Sequence, residues 1–241
     1  MKRRLCFPDL AAWGVTAAGT VLLLLLRPGS EGTPLPLVAV LTALGAGAEG
    51  VPFASLYRLL YPSFSAAYAV FILGGPGTAA WQIWVSVLVG RLLRRRTLRE
   101  GLFAAAVGVA GLAASVGAYR LAGGGDAPLG SWFALSLVSP VFFLTTVALT
   151  GLQEPRAWQP PARLATAAAA HIVATAFGIL LAVSYLIQGS FAFFLVAVAL
   201  AAVVHLLRLH DELQAANLEL RTLHETAGRL NAALRLDGVF S

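Results

Sequence analysis

Hydrophobic positions in this chain run in blocks too long for one face of a soluble helix, and the ionic residues gather between the blocks. An ion at the centre of a bilayer costs about 2.5–3.5 kcal/mol on an insertion scale, so uncharged windows mark candidate spans. Leu10 to Leu26 is one such window, ending in five consecutive leucines. Gly32 to Ala48 is a second, shortened to a helix over Leu37–Ala48 by Pro34 and Pro36. Leu59 to Gly90 is a third, interrupted by Gly74-Gly75-Pro76-Gly77, where glycine and proline end a helix and predict a tight hairpin between two short spans. Gly101–Tyr119 and Pro128–Thr150 are the fifth and sixth spans. Leu164 to Leu207 carries no Asp, Glu, Lys or Arg, and its length is about twice the roughly 20 residues a span needs. Gln188-Gly189-Ser190 divides it into a seventh and an eighth.

Beyond Arg208 the pattern changes. Leu206, Leu209, Leu213, Ala216, Leu220, Leu223, Ala227, Leu230 and Leu234 step alternately by three and four, with polar residues on the flanks. That spacing is the seam of a coiled coil, and in a parallel dimer Glu219 would face His224 of the partner helix. A single amphipathic helix lying on a surface is the plainer reading, but such helices show a wider apolar face. Phe191 to Ala227 contains neither Gly nor Pro, so the last span and the seam form one predicted helix. The expected fold class is an all-α polytopic bundle of about eight spans, with six or seven as the lower count, and a C-terminal cytoplasmic coiled-coil helix. The expected divisions are 1–205 for the membrane part, 206–236 for the coiled coil and 237–241 for the start of a further domain.

Composition agrees. Of the 241 residues, 59% are hydrophobic and only 12% charged, against about 25% charged in soluble domains. A soluble enzyme, a secreted disulfide scaffold and a disordered tail are therefore excluded as readings. Cys6 is the only cysteine, which excludes an internal disulfide and a cysteine-built metal site. With the N-terminus cytoplasmic, inner loops carry Lys2, Arg3, Arg4, Arg58, Arg91, Arg94, Arg95, Arg96, Arg99, Arg156 and Arg163, and outer loops only Arg27 and Arg120. This positive-inside bias predicts that both termini are cytoplasmic. Arg91, Arg94, Arg95, Arg96 and Arg99 read as a topology anchor and a contact for anionic lipid, each worth about 1 kcal/mol near such a leaflet. They lack the aromatic or loop partners of a nucleic-acid site.

The segment from Leu213 to Phe240, with Leu223-His224-Glu225-Thr226 and Leu234-Arg235-Leu236-Asp237-Gly238-Val239 within it, resembles the signalling helix that leads into a GAF domain in bacterial sensor proteins. The membrane part is similar to multi-span input modules that precede GAF, HD-GYP, GGDEF or histidine-kinase outputs. The resemblance implies a sensory input module, acting in cyclic-di-GMP or two-component signalling, whose output enzyme lies outside these residues. Leu223-His224-Glu225 also resembles a phospho-acceptor box, with a solvated flank histidine as the duller account.

Polar residues inside spans are the remaining candidates. His171, between Thr166 and Thr175, suits either a proton switch or a neutral hydrogen bond to a neighbouring helix. Gln82 and Ser86, one turn apart beside Trp81 and Trp84, suit a small-ligand pocket or helix bridging. Ser136, Ser139, Thr145, Thr146 and Thr150 stripe the sixth span and indicate packing, and His205 and His210 are placed at the headgroups. Glu49 and Arg58 flank the short segment Gly50 to Tyr57 and are read as two solvated charges at a membrane surface, with a mutual ion pair as the alternative. No cofactor or metal is expected, since no His or carboxylate set has ligand spacing. The expected function is a membrane input module without catalysis of its own, dimeric through residues 206–234, with lipid and an unidentified small ligand as partners. The rival is a small-molecule permease or the substrate-binding subunit of a vitamin-type transporter.

Overall fold

Seven α-helices account for nearly all of the residues that the computed structural model describes, namely 7–26, 34–50, 61–125, 128–153 and 161–237. They are α1 (Phe7–Leu25), α2 (Leu35–Gly50), α3 (Phe64–Leu93), α4 (Leu98–Leu121), α5 (Trp132–Gln153), α6 (Pro161–Gln188) and α7 (Ser190–Asp237), with a short 3-10 turn at Pro128–Gly130 before α5. No strand occurs among the described residues. Four segments are long and apolar enough to cross a membrane: Phe64–Leu93, Leu98–Leu121, Trp132–Leu152 and Ala167–Gln188. Ala11–Leu25, Leu35–Gly50 and Ser190–Val203 are shorter apolar helices.

The expected hairpin in α3 is present. Gly75 adopts φ 77° and ψ 177°, a conformation a side chain would strain, and Pro76 follows it. The contacts on either side show that the chain reverses there. Tyr61 donates to the Ala104 carbonyl at 3.2 Å and Phe71 packs edge-on against Tyr119, so the first arm (64–74) runs parallel to α4. Gly101 lies against Leu88 and Gly108 against Ile83, so the second arm (76–93) runs antiparallel to it. At 1.5 Å per residue the first arm is only about 16 Å long, short of a roughly 30 Å hydrocarbon core.

That short arm is the centre of the bundle. Every side chain from Ser63 to Ile72 is buried, as expected for a helix with no face left to solvent or lipid. α4 packs along it, α6 closes another side, and α1 lies outside α4. α5 reaches it through side chains, with Phe142 against Phe64 and the Leu135 carbonyl accepting from the Tyr68 hydroxyl. Rings of Tyr61, Phe64 and Phe142 interlock at its start, with Phe64 and Phe142 4.2 Å apart. Small residues set the spacing between helices. A Cβ on Gly178 of α6 would lie 2.7 Å from the Ser65 carbonyl, and one on Gly90 would collide with Glu49 and stand 2.8 Å from the Ala46 carbonyl.

Local signals explain the boundaries. Pro161 opens α6, where its missing N–H has no helical partner to lose. Thr97 caps α4 by accepting from Glu100 N–H at 3.3 Å. Gly189 ends α6 at φ 75° and starts α7, where the uncharged stretch was expected to divide. α7 then runs 48 residues without a break, about 72 Å of helix. Phe193 and Ala197 are buried against the bundle, whereas beyond Val203 every described side chain through Ala227 is exposed.

Gly90→Ala overpacks the α2–α3 contact and is expected to cost about 1–3 kcal/mol in equilibrium unfolding from mixed micelles. Gly47→Ala, whose Cβ would meet nothing within 4 Å, is expected to leave stability within about 0.5 kcal/mol of the parent.

Candidate functional site

Two polar features stand out inside the bundle. The first closes the α3 hairpin. Glu49, on the last turn of α2, is wholly buried, which corrects its expected role as a solvated surface charge; Arg58, its expected neighbour, lies outside the described residues. Its Oε1 accepts from the Ser63 hydroxyl at 3.1 Å and more weakly from the Ser63 N–H at 3.4 Å. Its Oε2 is 3.7 Å from Arg91 Nε. One carboxylate thus holds the start of the first arm and the end of the second. The physical reason for the correction is the reversal at Gly75, which brings residues 63 and 91 together around Glu49. Nothing in the local sequence near Glu49 signals this.

The arginine cluster is correspondingly less uniform than a surface anchor. Arg91 is mostly buried at Glu49. Burial holds the Arg94 guanidinium below its ordinary pKa, an effect that nearby Glu49 opposes and Arg91 and Arg96 reinforce. Arg96 is 3.9 Å from Glu100, one turn on. Arg99 sits over the Trp13 ring at 5.7 Å, a cation–π contact that ties α4 to α1. Arg95 is exposed in the turn, with φ 57°.

Gln82 and Ser86 bridge helices. Gln82 Nε2 donates to the Leu41 carbonyl at 3.2 Å and to Ser86 Oγ at 3.0 Å, and Ser86 donates to the Thr42 carbonyl at 3.0 Å. They fasten the second arm of α3 to α2. Trp81 and Trp84 sit 6.3 Å apart beside them and pack against the core. None of these four residues lines a cavity that His171 shares.

The second feature is a half-open cavity of about 600 Å³ between α2, the start of α3, α6 and α7. Its wall is formed mainly by aliphatic and small residues, among them Val40, Leu41, Ala174, Leu181, Ala197 and Ala201. His171 also lies on it, 3% exposed, 4.3 Å from the Phe64 ring and stacked on Phe142 at 5.5 Å. Its Nε2 has no hydrogen-bond partner. Thr175 donates to the His171 carbonyl at 2.9 Å and lies 2.6 Å from Ser139 Oγ, so α5 and α6 are bound at this level. Of the α5 stripe, Ser139 and Thr146 are buried and face helices, while Ser136 is exposed and bonds within its own turn. Sequence reasoning selected His171 but missed the cavity. The available signal was the small residues one turn apart, Ala170 with Ala174 on α6 and Ala197 with Ala201 on α7.

The seam positions lie on the free part of α7. Leu206, Leu213, Leu220 and Leu223 are each more than 60% exposed, Leu209, Ala216 and Ala227 are also exposed, and the side chains of Leu230 and Leu234 lie outside the described residues. His205 and His224 are exposed on the same helix; the side chain of His210 and residues 238–241 lie outside the description. Among the described residues no group of three His, Cys, Asp or Glu side chains could hold a metal ion. Comparison with family models, with curated proteins and with solved structures gives no match.

Glu49→Ala leaves Ser63 without its acceptor and Arg91 without its ion-pair partner, and is expected to cost about 1.5–3 kcal/mol. Glu49→Gln keeps an acceptor for Ser63 and should lose less. Chemical unfolding of both variants in the same micelles checks the order.

Proposed function

We propose that this chain is the membrane-embedded input module of a bacterial signal-transduction protein, non-catalytic itself and dimeric through residues 206–234. The observation that carries the reading is α7: one uninterrupted helix that packs in the bundle up to about Val203 and continues for more than 30 residues, with every described side chain of its seam exposed. A rod rooted among apolar helices must transmit rotation, tilt or piston movement to whatever its far end engages. A second copy of the same seam is the occupant that heptad spacing specifies. A coiled coil has a few discrete packings, so such movement becomes a two-state output.

In this proposal both termini are cytoplasmic and the 91–99 turn faces the cytoplasm, with exposed Arg95 and Arg96 available to anionic lipid. The two arms of α3 count as separate short membrane segments, giving eight with α7. Signalling through a GAF-type output, to cyclic-di-GMP turnover or a histidine kinase, follows from the resemblance of residues 213–240.

The rival permease reading draws on the broken α3, since discontinuous helices commonly build transport sites. It assigns no role to the free part of α7. It also predicts a monomeric tail.

With Cys6 replaced by serine, a cysteine at Leu220 or Leu223 is expected to form an intersubunit disulfide in membranes under mild oxidation, and one at Glu225, on the far side of the heptad, is not. Equal yields at all three positions, or none, count against the seam. Leu220→Pro removes a helical hydrogen bond and is expected to abolish crosslinking at Leu223 while membrane insertion persists.

A further inference from the structure

The cavity at the root of α7 has a chemistry that selects its occupant. Among the described residues that line it there is no Asp, Glu, Lys or Arg, so this lining offers a charged ligand no counter-ion. The described lining is apolar apart from Tyr61, Ser65, His171 and His205. Two of those four are already committed: Tyr61 donates to the Ala104 carbonyl and Ser65 to the Pro62 carbonyl. His205 is exposed. His171 Nε2 alone is both buried and without a partner.

Nε2 has no partner, and an imidazole nitrogen either accepts or donates a hydrogen bond according to the tautomer. A hydroxyl does both, so it complements Nε2 in either form.

Chain direction orders the wall. α6 and α7 turn back at Gly189, so His171 and His205 lie at similar depth. Tyr61 and Ala48 stand at the same end, beside Glu49. Val40, Leu41, Leu181 and Ala197 line the opposite end. The polar groups thus cluster at one end of an otherwise apolar chamber. About 600 Å³ falls within the range of roughly 300–1,000 Å³ that holds one small ligand.

We infer that this cavity binds a neutral single-chain alkyl or prenyl alcohol, its hydroxyl hydrogen-bonded to His171 Nε2 and its tail lying against Leu41, Leu181 and Ala197. Binding stands on the cavity alone. Its consequence rests on the signalling reading: Ala197, Leu200, Ala201, Val203 and His205 belong to α7, so the occupant bears on the helix that carries the seam.

The test uses the full chain in phosphatidylcholine nanodiscs and three photoreactive probes that share a C16 chain bearing a diazirine: the alcohol, the alkane and the carboxylic acid. Mass spectrometry maps the adducts. The alcohol is expected to label the segments around Val173 and Ala201 roughly tenfold above the alkane, the ratio that one hydrogen bond of about 1.4 kcal/mol supplies. His171→Phe, which keeps the aromatic packing but not the imidazole nitrogen, and Ala174→Phe, which fills the chamber, should each bring the alcohol down to the alkane level. Equal labelling by alcohol and alkane, stronger labelling by the acid, or undiminished labelling in both variants overturns the proposal. Disulfide yield at Leu220→Cys, measured with and without hexadecanol, reports on coupling separately. Intact labelling with no crosslink at all removes the signalling reading and leaves the lipid site standing.

Discussion

The structure depends on burying the first arm of α3 on every side. A half-helix that meets neither water nor lipid must have its polar ends satisfied by protein, because an orphaned backbone group in such surroundings costs several kcal/mol. Its start is the exposed problem: helix N-termini carry unpaired N–H groups and partial positive charge. Glu49 answers both, accepting from Ser63 and bringing a negative charge to that terminus. The same carboxylate faces Arg91 at the end of the second arm. A buried ion pair of this kind adds little net stability over an apolar substitute, but it specifies one closure of the hairpin. From that closure follow the parallel packing of the first arm on α4, the fit of Gly178 against Ser65, and the aromatic group around His171.

α7 relates to this core in a different way. It meets the bundle through α6 and, more lightly, through α2, and among its described side chains only Phe193 and Ala197 are buried. The cavity occupies part of the boundary where a fuller interface would otherwise form. The same helix carries a strict apolar seam whose described side chains beyond Val203 are exposed. Proposed sensing and proposed output are therefore two ends of one helix, with the cavity beside the first of them.

Much of this was legible in the sequence, since the governing physics is local. Uncharged blocks marked the helices because a charge in hydrocarbon is costly wherever it falls. Gly74-Gly75-Pro76-Gly77 and Gln188-Gly189-Ser190 marked the breaks because glycine and proline act on their own backbone; both breaks occur, at Gly75 and Gly189. The seam on α7 was readable from spacing, and those of its side chains that are described remain exposed on an unbroken helix. Boundaries moved by a few residues: α2 begins at Leu35 and α4 at Leu98, where caps and turns decide, not the hydrophobic block.

What pattern could not decide is which polar residue meets which. Glu49 precedes Ser63 by 14 residues and Arg91 by 42, and looks like a headgroup charge until the hairpin folds both onto it. Gln82 and Ser86 carry the same sequence signal as a pocket, yet tertiary packing spends their hydrogen bonds on α2 carbonyls. His171 was noticeable as a lone intramembrane histidine, but its unpartnered nitrogen and the chamber beside it exist only once α2, α3, α6 and α7 are assembled. Hydrophobicity and backbone preference are properties of short segments, so the chain itself determined its helices, its breaks and its exposed seam. Satisfaction of a buried polar atom is a property of a neighbourhood, so only the tertiary structure decided where this protein keeps its internal salt bridge and its cavity.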